Sequence, residues 1–344
     1  MRRCIELAAL GEGNVAPNPM VGAVIVYNDN IIGEGFHEKF GEAHAEVNCI
    51  NSVQEYDRKF IKECTLYVSL EPCNHFGKTP PCVDLIIKHQ IKHVVIGCND
   101  SFEKLNGAGV SRLTAAGVKV DIGILVQDCR NLNKRFFTFH DKKRPYIILK
   151  WAQSNDGFIA REDSTKTKIS NTYTDQLVHK WRSQEAAILV GYNTVKTDNP
   201  YLTLRNWPGK NPTRIIIDEL NKLAENANVF NLDASTIILN RKLSEINNNI
   251  EFYKITDEQL TTEAVVECLH KKQINSVIIE GGNKTLQMFI NVGLWDEARV
   301  ITNTVLFLNK GVNAPLLQNQ NLESSNNILN DRIDYFLNKN NDSL

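Results

Sequence analysis

The sequence predicts an α/β protein in two domains. Three observations carry that expectation. The chain is 344 residues long, more than one compact core usually takes up. Short apolar runs alternate with helical patterns through both halves, as in sheets covered by helices. A charged run closed by proline, Asp141-Lys142-Lys143-Arg144-Pro145, separates the halves, and a new strand pattern follows it. The domains are placed at 1–143 and 144–344.

In the first half, residues 1–10 read as a helix and 11–19 as a turn-rich loop. The apolar runs 21–27 and 31–36 flank Asn28-Asp29-Asn30, a hairpin signal. A helix opens at Ala43. The apolar strand 64–70 delivers Glu71-Pro72-Cys73 at its end, and a second helix opens after Cys82. A strand at 93–97, a helix near 110–116 and strands around 118–125 complete this half. The second half has strand patterns at 146–152, 186–191, 214–218, 236–240 and 276–280, with helices at 262–272 and 286–292. The tail from Gln318 is rich in asparagine. A last strand is expected at 331–337, and the rest is expected to fray.

Composition excludes several classes. Net charge is −1 with no basic block, which argues against a nucleic-acid surface and for a free small substrate. No apolar run approaches the roughly 18 residues that a membrane span needs. The basic start Met1-Arg2-Arg3 is followed by a stretch too short and too charged for a secretory signal. Eight cysteines in this length are not a disulfide framework, so the expected compartment is the reducing cytoplasm. Cys49, Cys64, Cys98, Cys129 and Cys268 read as buried core thiols, and Cys4 as incidental.

The chemistry is concentrated in His44-Ala45-Glu46 and in 71–82, reading Glu-Pro-Cys-Asn-His-Phe-Gly-Lys-Thr-Pro-Pro-Cys. One imidazole and two thiols, from His44, Cys73 and Cys82, leave the fourth position of a tetrahedral zinc open. Glu46 is not needed as a ligand and is placed to move protons. The pattern H-x-E with P-C-x-x-C marks zinc deaminases. Here the second cysteine comes nine positions after the first instead of three. His75 is an alternative ligand to a cysteine. Cys82 is better placed, because Pro80-Pro81 precede it and a helix opens there, and a helix N-terminus stabilises a thiolate. In the second half, Glu280-Gly281-Gly282-Asn283-Lys284-Thr285 links a strand to a helix, a geometry that suits a phosphate.

With Pro17-Asn18-Pro19-Met20-Val21-Gly22, Gly35-Phe36-His37, His44-Ala45-Glu46 and 71–82, the first half resembles the deaminase half of the bifunctional riboflavin-biosynthesis deaminase/reductase family. The eight-residue loop between the cysteines is that family's own variant. Residues 149–157, Ile188-Leu189-Val190-Gly191, Thr194-Val195, Asp198-Asn199-Pro200, Leu202-Thr203-Leu204-Arg205 and Glu280-Gly281-Gly282 resemble its reductase half. The resemblance implies a cytidine-deaminase-like α/β/α sandwich followed by a dihydrofolate-reductase-like α/β domain. It implies Zn2+ and NADPH as cofactors and phosphoribosylaminopyrimidines as substrates. Asn18 and His37 would hold the pyrimidine, and Lys78 would reach its phosphate. Lys150, Arg182, Leu202, Arg205 and Glu280 would lie on the reductase substrate. Ala152, Thr194, Asp198, Gly282, Asn283, Lys284 and Thr285 would lie on NADPH. Where the family has Trp-Ile-Thr, this chain has Lys168-Ile169-Ser170, so a charge contact to the cofactor is expected in place of stacking. Two rivals stay open: a monofunctional zinc deaminase with a degenerate second domain, and a zinc-stabilised binding module without turnover. A homo-oligomer is compatible with the sequence, and neither nucleic acid nor a membrane is expected as a partner.

Overall fold

The structure is a computed structural model that describes residues 1–100, 107–163, 165–256 and 260–341. The chain divides into two compact units, Met1–Lys143 and Arg144–Leu344. Among the described residues no helix is long and apolar enough to cross a membrane.

The first unit opens with helix α1 (Arg2–Ala9), then strands β1 (Gly22–Tyr27) and β2 (Asn30–Phe36). Helix α2 (Ala45–Ser52), strand β3 (Thr65–Leu70), helix α3 (Cys82–Lys88) and strand β4 (His93–Cys98) follow. Helix α4 (Ala108–Ala115), strand β5 (Lys119–Ile122) and helices α5 (Val126–Leu132) and α6 (Lys134–Asp141) close the unit. The sheet order is β2-β1-β3-β4-β5. The hairpin β1–β2 and the pair β1–β3 are antiparallel, while β3, β4 and β5 run parallel.

Side chains alternate across the strands, so each strand feeds two cores. Ala23, Ile25, Leu66, Val68, Val94 and Ile96 pack on Ala45, Cys49 and Ile50 of α2 and Val83 and Ile86 of α3. Val24, from the opposite face of β1, packs with Cys4 and Leu7 of α1. Leu70, Cys98, Cys129 and Phe137 form a third cluster. The cysteines read as core thiols are all buried, and so is Cys4, which packs in the core of α1. The run 118–125 is one short strand, not several. Gly123 and Leu125 both take positive φ, +95° and 57°, which turns the chain out of the sheet and into α5.

The second unit begins with strands β6 (Tyr146–Ser154) and β7 (Phe158–Ala160), helix α7 (Thr172–Gln184), strand β8 (Ala187–Gly191) and helix α8 (Tyr192–Asp198). Strands β9 (Thr213–Ile217), β10 (Thr236–Asn240), β11 (Glu245–Asn247) and β12 (Ile250–Lys254) come next. Helix α9 (Thr262–Lys271), strand β13 (Ser276–Ile279) and helix α10 (Asn283–Asn291) precede strands β14 (Glu297–Asn303), β15 (Val312–Asn313), β16 (Gln320–Ile328) and β17 (Asp331–Asn338). Ten strands form one sheet in the order β11-β12-β10-β9-β8-β13-β6-β14-β17-β16. Its middle is parallel, and antiparallel strands close each edge. Leu149, Leu189 and Ile279 pack on α9 and α10 through Val265, Leu269 and Phe289. On the other face, Ile148, Val190 and Ile278 pack on Val178 and Trp181 of α7. Such strands are apolar on both faces because helices cover both.

The tail corrects the expectation of fraying. The strand expected at 331–337 is β17, and β16 pairs with it antiparallel along its whole length. Ile333 is fully buried, and the Asn338 side chain donates to the carbonyls of Gly293 and Trp295 at 3.1 and 2.9 Å. Nearly every β16 side chain is exposed, so the strand carries no apolar alternation and its sequence reads as a loop. The expectation of a frayed end also covered residues 342–344, which lie outside the described residues. Ile333→Ala is expected to cost about 2–5 kcal/mol in urea unfolding of the second unit's transition, as for other large-to-small core changes. A loss below about 0.5 kcal/mol, the range of surface positions, would contradict the packing of the tail.

Candidate active sites

In the first unit the C-terminal end of β3 and the starts of α2 and α3 converge. His44 is the N-cap of α2, and Glu46 lies in its first turn. Pro81 is the N-cap of α3, and Cys82 is its first residue. Pro72-Cys73 leave β3 directly. His44 Nδ1 lies 3.5 Å from Cys73 Sγ and 3.4 Å from Cys82 Sγ. The three ligand atoms all fall within 4.8 Å of one another, and among the described residues no other cluster of this kind occurs. Zn–N and Zn–S bond lengths in a tetrahedral site imply N···S edges of about 3.6 Å, so the observed spacing fits the metal. The other ring nitrogen of His44, Nε2, lies 3.5 Å from Thr79 Oγ1, which orients the ring. His75 is exposed and outside this cluster.

Glu46 is buried beside the cluster. Burial, and then the neighbouring Cys73, push its carboxyl up to about 6. Cys73 is the thiol of the pair held toward thiolate. Its sulfur accepts from the Cys82 side chain, overcoming burial, and from the Cys82 backbone N–H at 3.3 Å.

His37 faces the same cleft. Its Nδ1–H donates to the Ala43 carbonyl at 3.0 Å, so Nε2 accepts from Asn18 Nδ2 at 3.1 Å. Burial keeps this imidazole below its usual value and therefore neutral. Lys78 Nζ sits 4.1 Å from the centroid of the Phe40 ring, at the cleft's exposed side.

Several residues hold this arrangement without a local sequence signal. The Glu71 carboxylate accepts the backbone N–H groups of Asp100, Gly107, Gly109 and Val110, at 3.0–3.3 Å. Gly109 is required there, because a Cβ would come 2.3 Å from the Pro72 carbonyl oxygen. Arg112 donates to Asn74 Oδ1 at 2.9 Å and pairs with Asp84, tying the segments that follow the two cysteines. Asn133 clamps the Met20 backbone with two hydrogen bonds of 2.8 Å. Those partners are separated by 113 residues, which no spacing rule reveals.

The second unit gathers Lys150, Arg182 and Glu280. Glu280 follows β13, and its Oε1 accepts from Arg182 Nε at 2.7 Å. Oε2 accepts from Arg182 Nη2 at 2.9 Å and from Lys150 Nζ at 3.3 Å. Burial alone would raise the carboxyl. The Arg182 and Lys150 charges outweigh it and hold Glu280 down to about 2. Leu202 is buried at φ 56°, and Arg205 is exposed.

Gly282 is the N-cap of α10 with no side-chain cap, and its N–H donates to Thr194 Oγ1 of α8 at 3.1 Å. Thr285 packs under Gly191, where a Cβ would come 2.5 Å from its Oγ1. Asn283 is engaged by the Asn313 carbonyl at 2.8 Å, Lys284 is exposed, and Ala152 lies partly buried on β6. Burial raises the carboxyl of Asp198, at the end of α8. Lys168 pairs with Asp175 at 2.9 Å, and Asp175 also accepts from Ser170 at 2.6 Å. The lysine charge at the tryptophan position is thus matched within the protein.

Residues 1–98 match the family described as cytidine and deoxycytidylate deaminase zinc-binding region, and 145–322 match the RibD C-terminal domain. The riboflavin biosynthesis protein RibD of Aquifex aeolicus is 38% identical over 302 residues, covering 86% of this chain and 84% of that protein. The Escherichia coli RibD is 33% identical over 314 residues, with the same coverage. A crystal structure of a diaminohydroxyphosphoribosylaminopyrimidine deaminase/5-amino-6-(5-phosphoribosylamino)uracil reductase from Thermotoga maritima superposes with a TM-score of 0.89 at 35% identity, covering 98% of this chain and 97% of that one. A zinc-binding deaminase region and a reductase domain in one polypeptide, with relatives matched along most of their length, place this chain in the RibD family of bifunctional riboflavin-biosynthesis deaminase/reductases.

Proposed function

We propose that the chain catalyses two successive reactions on phosphoribosylaminopyrimidines, one in each domain, 1–143 and 144–344. The first hydrolyses the 2-amino group of the 2,5-diamino-6-(5-phosphoribosylamino)pyrimidin-4(3H)-one substrate. The second reduces 5-amino-6-(5-phosphoribosylamino)uracil to its ribityl form with NADPH. The observation that carries the reading is the convergence of His44 Nδ1 with both thiol sulfurs, with Glu46 buried beside them.

His44, Cys73 and Cys82 would hold zinc. Zinc bound by three protein ligands supplies the Lewis acid that makes water a usable nucleophile near neutral pH. Glu46 takes the proton that the attacking water loses and delivers protons to the ring and to the departing ammonia. Asn18 and His37 bind the pyrimidine. The Ala43 carbonyl fixes the His37 tautomer, so Nε2 and the Asn18 carboxamide keep one orientation. Lys78, a point charge on a flexible stem, binds the phosphate.

In the second domain NADPH supplies the hydride. The backbone at Gly282 and the N-terminal turn of α10, with Asn283, Lys284 and Thr285, lie on the cofactor phosphates, together with Thr194 and Asp198 of α8. Ala152 lies on the cofactor from β6. Lys150 and Glu280 hold the sugar, with Leu202 beside it. Arg182 and Arg205 supply the positive charge that a phosphate needs.

Incubating the protein with the diaminopyrimidinone phosphate is expected to give the deaminated product without NADPH and the ribityl product with it. Recovery of unchanged substrate would overturn the reading. Glu46→Gln is expected to keep zinc while ammonia release falls at least about 10²–10⁴-fold. Near-normal ammonia release from the zinc-loaded variant would remove Glu46 from its role. Glu280→Gln should cut NADPH oxidation severely while deamination continues. An unaffected reductase rate would reduce the Lys150–Glu280–Arg182 group to a structural ion pair.

A further inference from the structure

His179 belongs neither to the His44–Cys73–Cys82 cluster nor to the Lys150–Glu280–Arg182 group. It lies on α7, one turn before Arg182, and is 4% exposed. Its Nδ1 accepts the backbone N–H of Arg205 at 3.4 Å. A ring nitrogen that accepts carries no hydrogen, so the neutral imidazole has its hydrogen on Nε2. Among the described residues Nε2 has no protein acceptor, and it is not one of the sealed atoms left without a partner. It therefore opens to solvent as a free donor.

The surroundings are cationic. Arg182 and Arg205 flank the ring, with Glu280 and Asp175 the acids near it. Both acids are already committed, Glu280 to Arg182 and Lys150, and Asp175 to Lys168 and Ser170. Burial, and then the two guanidiniums, hold the imidazole down to about 4, so the ring stays neutral through the physiological range. Arg182 uses Nε and Nη2 on Glu280, leaving Nη1 unengaged by protein among the described residues. The Arg205 side chain is exposed. The result is three donors left open among the described residues: Nη1 of Arg182, the exposed Arg205 guanidinium and one neutral N–H. A phosphate monoester has three terminal oxygens and can meet all three, whereas a diester has only two. A neutral imidazole also adds a donor without adding a third positive charge beside Arg182.

We propose that His179 is a further substrate-binding residue of the second site, its Nε2–H donating to a phosphate-monoester oxygen held by Arg182 and Arg205, and its Nδ1 fixing the Arg205 segment. The proposal rests on the reading that those arginines face the substrate phosphate.

His179→Asn and His179→Gln separate the two functions of the ring. Asparagine keeps an acceptor near the place of Nδ1 and has no donor at that of Nε2. Glutamine reaches the place of Nε2 with an amide N–H. The full-length variants are assayed with 5-amino-6-(5-phosphoribosylamino)uracil and NADPH, and with inorganic phosphate as competitor. His179→Asn is expected to raise KM and the phosphate inhibition constant about tenfold, as for one hydrogen bond to a charged group, with kcat little changed. His179→Gln should recover most of the loss. Unchanged KM and phosphate inhibition in His179→Asn, or a fall in kcat alone, would overturn the proposal. Arg182→Ala and Arg205→Ala in the same assay separate it from the reading it rests on. If they weaken phosphate inhibition and His179→Asn does not, only the His179 inference fails. If neither arginine matters, both fail. Should His179→Asn not fold, ¹⁵N spectra of the wild-type histidines decide. The His179 Nε2–H signal is expected to shift on adding inorganic phosphate, and a signal that stays put overturns the proposal.

Discussion

The first unit depends on holding two thiols and an imidazole nitrogen within 4.8 Å of one another. Two thiolates at that separation repel unless a cation lies between them, so the geometry makes chemical sense as a metal site. The fold meets part of the cost. Cys82 opens α3 and His44 caps α2, so both face the positive end of a helix rather than its middle. The rest is met by tethers. The Glu71 carboxylate gathers four backbone N–H groups, and Arg112 spans Asn74 and Asp84. Each tether acts on the segment beside a cysteine, which keeps a nine-residue spacing rigid enough to serve as a ligand pair.

The second unit solves a related problem with charge alone. Glu280 is buried, and a buried carboxylate persists only when paired. Arg182 and Lys150 pair it and leave the trio with one net positive charge. That surplus suits an anionic substrate. The same pairing fixes Arg182 next to His179, and through the Arg205 backbone it extends to an exposed guanidinium. The ion pair that offsets the burial of Glu280 therefore also orders the residues proposed to bind substrate.

Much of this was legible in the sequence where a local rule applied. The loop from Cys73 to Cys82 reads as metal chemistry because its prolines and the helix after it are contiguous. The apolar strands of both units are visible because they are buried on both faces. The parts that were not legible share a cause. Helix α7 buries Thr174 and His179 among its core-facing positions, which blurs its apolar period, although Asn171 caps it in the expected way. Strand β14 was not anticipated, although all of its residues are buried, because it carries Glu297, Arg299, Thr302 and Asn303 within the sheet. Strand β16 is held mainly by its ladder to β17, with Ile328 at its end packed against the core. Asn133 and Glu71 act on partners far along the chain, and only the fold brings them together.

X-ray absorption at the zinc edge of the purified protein reads the metal's ligand shell directly. Coordination by His44, Cys73 and Cys82 with an open position predicts two sulfurs at about 2.3 Å and two nitrogen or oxygen scatterers at about 2.0–2.1 Å. Cys82→Ser should lose one sulfur from that shell. A shell of four sulfurs, or one with none, would contradict a metal site formed by His44, Cys73 and Cys82.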